Sequence, residues 1–89
     1  MKIYYTNQFK KDYKRIKKQN KDINKLQVVI EKLVIREPLE AKYKDHSLSG
    51  NWKGFRDCHL EPDWLLIYKS TEDTLILERT GSHSELFKK

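Results

Sequence analysis

Cysteine is almost missing from this 89-residue chain: Cys58 stands alone, so no internal disulfide can form. Glycine and proline are nearly as scarce, at 3 and 2 residues. No linker rich in Gly, Ser or Pro, no internal repeat and no low-complexity tract divides the chain, and one domain over residues 1–89 is expected. Long apolar runs are lacking too. Without a window of roughly 18 apolar residues, a membrane-spanning helix is excluded. The opening MKIYYTNQFK has none of the apolar stretch that a secretion signal needs. A cytoplasmic protein with no membrane partner is therefore expected. The composition, 37% hydrophobic and 36% charged, suffices for one modest core and leaves little apolar area for a large buried ligand.

Positive charge is what the chain has in excess, with a net +6, and the excess is uneven. Residues 1–25 hold nine Lys/Arg against two Asp/Glu, a balance of +7, whereas residues 26–89 hold ten against eleven, a balance of −1. A concentrated basic surface attracts polyanions and releases their counterions on binding. An acidic protein partner fits the same pattern, and a solvated lysine-rich helix face is the bland alternative.

Ile3, Tyr4, Tyr5 and Thr6 favour a short strand through β-branched and aromatic side chains. From about Asn7, Phe9, Tyr13 and Ile16 recur at helical spacing with lysines on the remaining surface, so a basic amphipathic helix is predicted to end near Asn20. Asp22 can cap a second helix bearing Ile23, Leu26, Ile30, Leu33 and Val34; Pro38 should stop it at about Arg36. Residues 38–51 read as a loop. Strands are predicted from Trp52 to His59, Trp64 to Lys69 and Thr74 to Thr80, parted by Glu61-Pro62-Asp63 and by the polar turn Ser70 to Asp73. Ser82 and Glu85 have capping-box spacing, which suits a closing helical turn with His83, Leu86 and Phe87. The order β-α-α-β-β-β points to an α+β fold, an antiparallel sheet with two N-terminal helices on one face and the other face free for a ligand.

The polar chemistry gathers on the strand meander and its loops. The three histidines are His46, His59 and His83, with Asp45, Asp57, Glu61 and Asp63 as acidic neighbours. Asp57 and His59, two apart on a strand, should share a face, and the turn around Pro62 can bring Asp63 near His59. Metal-free phosphodiester cleavage needs a base for the ribose 2′-hydroxyl, a cation for the phosphate and an acid for the leaving 5′-oxygen. Histidine, with an ordinary pKa of ~6.5, suits the first and last. Arg56 and Arg79 suit the second. Spacing alone is weak support, because three histidines in such a chain are more often exposed or core-satisfied. HxH, HExxH and CxxC are absent, so no metal is expected. Cys58 alternates away from His59 and reads as a buried thiol rather than a nucleophile. Trp64 can serve either core packing or base stacking. Phe87 can close the core or hold a nucleobase, and Tyr43 reads as structural or exposed.

Within residues 42–69 the string KYKDHSLSGNWKGFRDCHLEPDWLLIY, followed by LERTGSHSELF, resembles the YafQ branch of the RelE/ParE toxin superfamily, type II toxin–antitoxin mRNA interferases. The matching part, Lys42 to Phe87, covers about half the chain, and its combination of motifs is specific where each fragment alone is weak. The resemblance implies a RelE-like microbial RNase fold. It implies a catalytic set of His46, His59, Asp63 and His83: His83 as general acid, His46 or Asp63 as base, and His59 positioning substrate or sharing proton transfer. Arg56 and Arg79 would be directed at phosphate, with Trp64 and Phe87 contacting or shaping a base. The implied substrate is mRNA in the A site of the 70S ribosome, cut by its own 2′-hydroxyl without metal or cofactor. The implied partner is a DinJ-like antitoxin, with operator DNA bound only through the toxin–antitoxin complex. A non-catalytic RNA- or antitoxin-binding module, and a nuclease acting on free RNA, are the competing expectations.

Overall fold

Thr6 divides a strand from a helix. Its hydroxyl accepts the Phe9 amide at 3.0 Å and donates to the Glu78 carbonyl at 2.9 Å, so one side chain caps a helix and ties it to a distant strand. In the computed structural model, which describes residues 1–87, β1 (Lys2–Tyr5) precedes Thr6 and α1 (Asn7–Lys18) follows it. The Asp22 carboxylate caps α2 (Ile23–Val34), accepting the Asn24 amide at 3.1 Å. The helix closes just short of the predicted end. Arg36 turns left-handed, with φ of 60°, and the amides of Arg36 and Glu37 return to the carbonyls of Leu33 and Lys32.

The remaining elements are β2 (His46–Ser47), β3 (Arg56–Glu61), β4 (Trp64–Ser70), β5 (Thr74–Gly81) and α3 (His83–Leu86). The expected α+β fold is present, and the sheet order is β1-β5-β4-β3-β2. The sheet is mixed rather than wholly antiparallel. Tyr4 and Tyr5 lie parallel to Ile76 and Leu77, because α1 and α2 form part of a long return path that no tight hairpin constrains. The stretch 38–51 is also less irregular than expected: β2 lies within it, and β3 supplies its partners. Gly50–Trp52 forms a single 3₁₀ turn, which delays β3 until Arg56.

Residues 64–68 of β4 are all buried, as suits a central strand covered on both faces. On the helix side, Phe9, Ile16, Leu26 and Val29 pack against Cys58, Trp64, Leu66, Tyr68, Leu75 and Leu77. On the other side Leu65, Ile67 and Leu86 form a smaller cluster with Leu48, Trp52, Phe55 and Phe87. The face expected to be free for a ligand is thus partly roofed by these residues, and the histidines stand beside them. Between β4 and β5, Ile67 pairs with Arg79 and Tyr68 with Leu77, leaving Glu78 as the extra residue of a bulge. The bulge inverts the alternation set by Leu75 and Leu77. Arg79 is thereby paired on the side of Ile67, and Thr80 turns inward to the Trp64 indole.

Candidate active site

Sheet register brings the histidines together. His46 pairs with Asp57 across β2 and β3, and His59 follows Asp57 by two on the same face. His59 pairs with Leu65, and Leu65 with Gly81, which delivers His83 at the start of α3 to the same end of the sheet. The imidazole centroids of His59 and His83 are 5.5 Å apart, and those of His46 and His59 are 6.4 Å apart. His59 is the middle member of the row.

Two of the three rings have a committed nitrogen. His83 Nδ1 lies 2.6 Å from Asp63 Oδ1, and the same oxygen accepts the His83 backbone amide at 2.9 Å. The amide and then the ring hold the Asp63 carboxyl below the usual carboxylate range. An ionised carboxylate only accepts, so Nδ1 carries the hydrogen and Nε2 is the atom left for proton exchange. His46 Nδ1 is 2.8 Å from the Lys44 carbonyl, which likewise only accepts, and its Nε2 is left in the same way. Both rings keep a side-chain exposure of 53%, enough to meet a substrate.

Asp57, which sequence reasoning placed beside His59 without giving it a role, lies at this site. Its Oδ1 is 3.1 Å from His46 Nδ1, but the hydrogen there is directed at Lys44, and the oxygen has no hydrogen-bond partner among the described residues. The side chain is only 5% exposed. Burial pushes its carboxyl above the usual range, against the pull of His46, His59 and His83. The alternation of Asp57 and His59 was the signal that could have promoted it.

The expected substrate-directed residues divide. Arg79 reaches the site-side register through the bulge, yet its Nε and Nη2 bond the Asp12 carboxylate at 2.7 and 3.2 Å. Arg56 alternates with Asp57 and so takes the side of Cys58. Its Nε meets Asp45 at 3.3 Å, and it is not gathered into the histidine row. Trp64 is fully buried and donates to Thr80 Oγ1 at 2.9 Å; the expectation of base contact is corrected, because no face of the indole is open to stack. Phe87 is half-buried and meets Trp52 edge-on, with centroids 6.3 Å apart, beside the same site. Burial pushes the Cys58 thiol far up, consistent with an inert packing role.

A family model described as "Bacterial toxin of type II toxin-antitoxin system, YafQ" matches residues 1–88. The chain is 52% identical over 86 residues to the mRNA interferase toxin YafQ of Escherichia coli strain K12, covering 96% of this chain and 94% of that one. It is similar to the toxin in the E. coli DinJ-YafQ toxin-antitoxin complex, with 52% identity, a TM-score of 0.89 and coverage of 96% and 94%. A metal-bound toxin from Helicobacter pylori is 47% identical with a TM-score of 0.91, over 98% of this chain and 99% of that one. Among the described residues here, no three His, Cys, Asp or Glu side chains converge to hold a metal ion. The Nδ1 atoms of His46 and His83 are already engaged, which leaves Nε2 as the free nitrogen of each ring. No helix is long and apolar enough to cross a membrane among the described residues.

Proposed function

The chain belongs to the YafQ family of type II toxin–antitoxin toxins, and on that premise we propose that it is an endoribonuclease cutting mRNA on the ribosome by histidine–aspartate acid–base catalysis, without a metal. The observation that carries the reading is the His83–Asp63 pair, which leaves one imidazole nitrogen beside His59 for proton transfer. Asp63 stabilises the imidazolium, so His83 suits the acid that gives its Nε2 proton to the departing 5′-oxygen.

The base is His46 through its Nε2, with His59 between the two able to share the transfer. It takes the 2′-hydroxyl proton as the 2′-oxygen attacks phosphorus and the P–O5′ bond breaks. Atoms and charge balance with a 2′,3′-cyclic phosphate and a free 5′-hydroxyl as products. Asp57 beneath the row is a counter-charge for whichever ring holds the extra proton. Arg79 is the cation nearest this task, since Asp12 engages two of its nitrogens and leaves Nη1 without a partner among the described residues. Phe87, on the rim with Trp52, suits a contact with a base.

A DinJ-like antitoxin is the proposed neutralising partner, as in the E. coli complex, with operator DNA bound only by the pair. The basic stretch over residues 1–25 suits ribosomal RNA or an acidic antitoxin segment.

The test maps cleavage ends on a translated mRNA with EDTA-treated toxin, while ribosomes stay in their own magnesium buffer. Wild type is expected to cut and His83→Ala to lose cutting with an unchanged circular dichroism spectrum. Wild-type cleavage by His83→Ala would remove the acid assignment. Equal cutting of the same RNA without ribosomes would remove the ribosome dependence.

A further inference from the structure

One buried charge lies outside the histidine row. Helix α1 buries Phe9, Asp12 and Ile16, and Asp12 sits fully inside a helix whose other charges are all basic. Its Oδ2 accepts Arg79 Nε at 2.7 Å and the Thr80 amide at 3.1 Å. Its Oδ1 accepts Arg15 Nη1 at 2.9 Å and Arg79 Nη2 at 3.2 Å. Arg15 in turn donates through Nη2 to the Thr80 carbonyl at 2.9 Å, and its Nε lies 3.1 Å from Glu85 Oε2. Glu85 closes the capping box of α3, accepting the Ser82 amide at 2.8 Å, and Gln19 adds a contact at 3.2 Å. Two carboxylates and two guanidiniums therefore form a neutral quartet between α1, the end of β5 and the start of α3.

The quartet takes the place of a missing strand. β1 pairs with β5 only as far as Leu77, and past the Thr6 contact at Glu78 the outer edge of β5 has no strand beside it. At Thr80, Asp12 accepts from that edge and Arg15 donates to it. Three residues later comes His83, and one residue earlier comes Arg79. The space is tight: a Cβ added at Gly81 would lie 2.5 Å from Arg15 Nη2 and 2.8 Å from Glu85 Oε1. Apolar packing could fill this volume but could not orient a guanidinium or fix both backbone groups of one residue.

We infer that Asp12 is a positioning residue for the cleavage reaction, setting through Arg15 and Glu85 the place of His83 and holding Arg79 on the site side of the sheet. The inference rests on the acid role given to His83 above. Asp63 holds the amide and ring of His83, and Glu85 of the quartet holds the amide of Ser82, the residue just before it.

The test compares Asp12→Asn and Arg15→Gln with wild type, in the full-length chain on mRNA-programmed ribosomes. Arg15 is partly exposed, so its variant is expected to fold even where the buried change does not. A positioning role predicts that kcat falls about tenfold for Asp12→Asn and about threefold for Arg15→Gln, with KM within about twofold of wild type. It also predicts that the His83 Cε1–H resonance moves in both variants in ¹H–¹³C spectra. A lower Tm with wild-type kcat per folded molecule, or an unmoved His83 resonance, overturns the inference. If the wild type itself does not cleave, the proposed function fails instead, and the resonance still decides whether Asp12 places His83.

Discussion

Replacing Asp57 by asparagine should separate stability from activity. Its carboxyl is raised by burial, so the folded protein binds the proton more tightly than the unfolded chain. Stability then falls as pH rises from the unfolded pKa through the folded one, and stays lowered above it. Asp57→Asn removes that loss. Its Tm should exceed that of wild type at neutral pH, and the margin should close as pH falls through the raised pKa, as read by calorimetry across a pH series. Cleavage at neutral pH should drop about tenfold, because the imidazoles lose their shared counter-charge. A Tm difference independent of pH would refute the account. At this scale the gathering of His46, His59, Asp63 and His83 was legible from the motif resemblance, while strand alternation spoke only for His59 beside Asp57. Trp64 and Arg79 were not. Trp64 joins Leu66 and Tyr68 in the helix-side core by alternation along β4, but a strand apolar on both faces does not show which end of it stays open, and the side taken by Arg79 depends on the bulge at Glu78. Neither placement leaves a mark in residue type.

Helix α3 is only four residues long, and its first residue is His83. Such a turn has little stability of its own and depends on its cap. Ser82 Oγ accepts the Glu85 amide at 3.2 Å, and the Glu85 carboxylate answers to the Ser82 amide at 2.8 Å. Removing that hydroxyl with Ser82→Ala should cost about 1 kcal/mol in urea unfolding. On the proposed mechanism it should also lower kcat, because the frayed turn carries His83. Unchanged kcat beside lost stability would mean that Asp63 alone suffices to place His83. The spacing of Ser82 and Glu85 announced this cap in advance, as Asp22 announced the start of α2. The strand at His46–Ser47 was hidden, since two residues pair there only because β3 offers them an edge. The parallel pairing of β1 was hidden for a related reason: local pattern identifies a strand but not its neighbour.

Across the whole molecule, charge and topology are both lopsided. The +7 balance of residues 1–25 is carried largely by α1, the helix whose single buried charge organises the far end of β5. Binding to ribosomes should therefore depend steeply on salt. Raising salt from about 50 to about 200 mM is expected to weaken the affinity of His83→Ala toxin, chosen to limit cleavage, by at least about tenfold in a sedimentation assay. A flat response would show that the basic helix makes no phosphate contacts. The uneven charge was plain in the sequence, whereas the closing of the sheet was not. That closing has a consequence for synthesis. The hydrogen bond from Thr6 to Glu78 spans 72 positions, and β1 finds its neighbour only when β5 has been made. Such long-range pairing is slow to form and cannot begin on a partial chain. His83 is added later still. A nascent chain thus holds neither the finished sheet nor His83, so the proposed activity is expected only once the polypeptide has left the ribosome that made it.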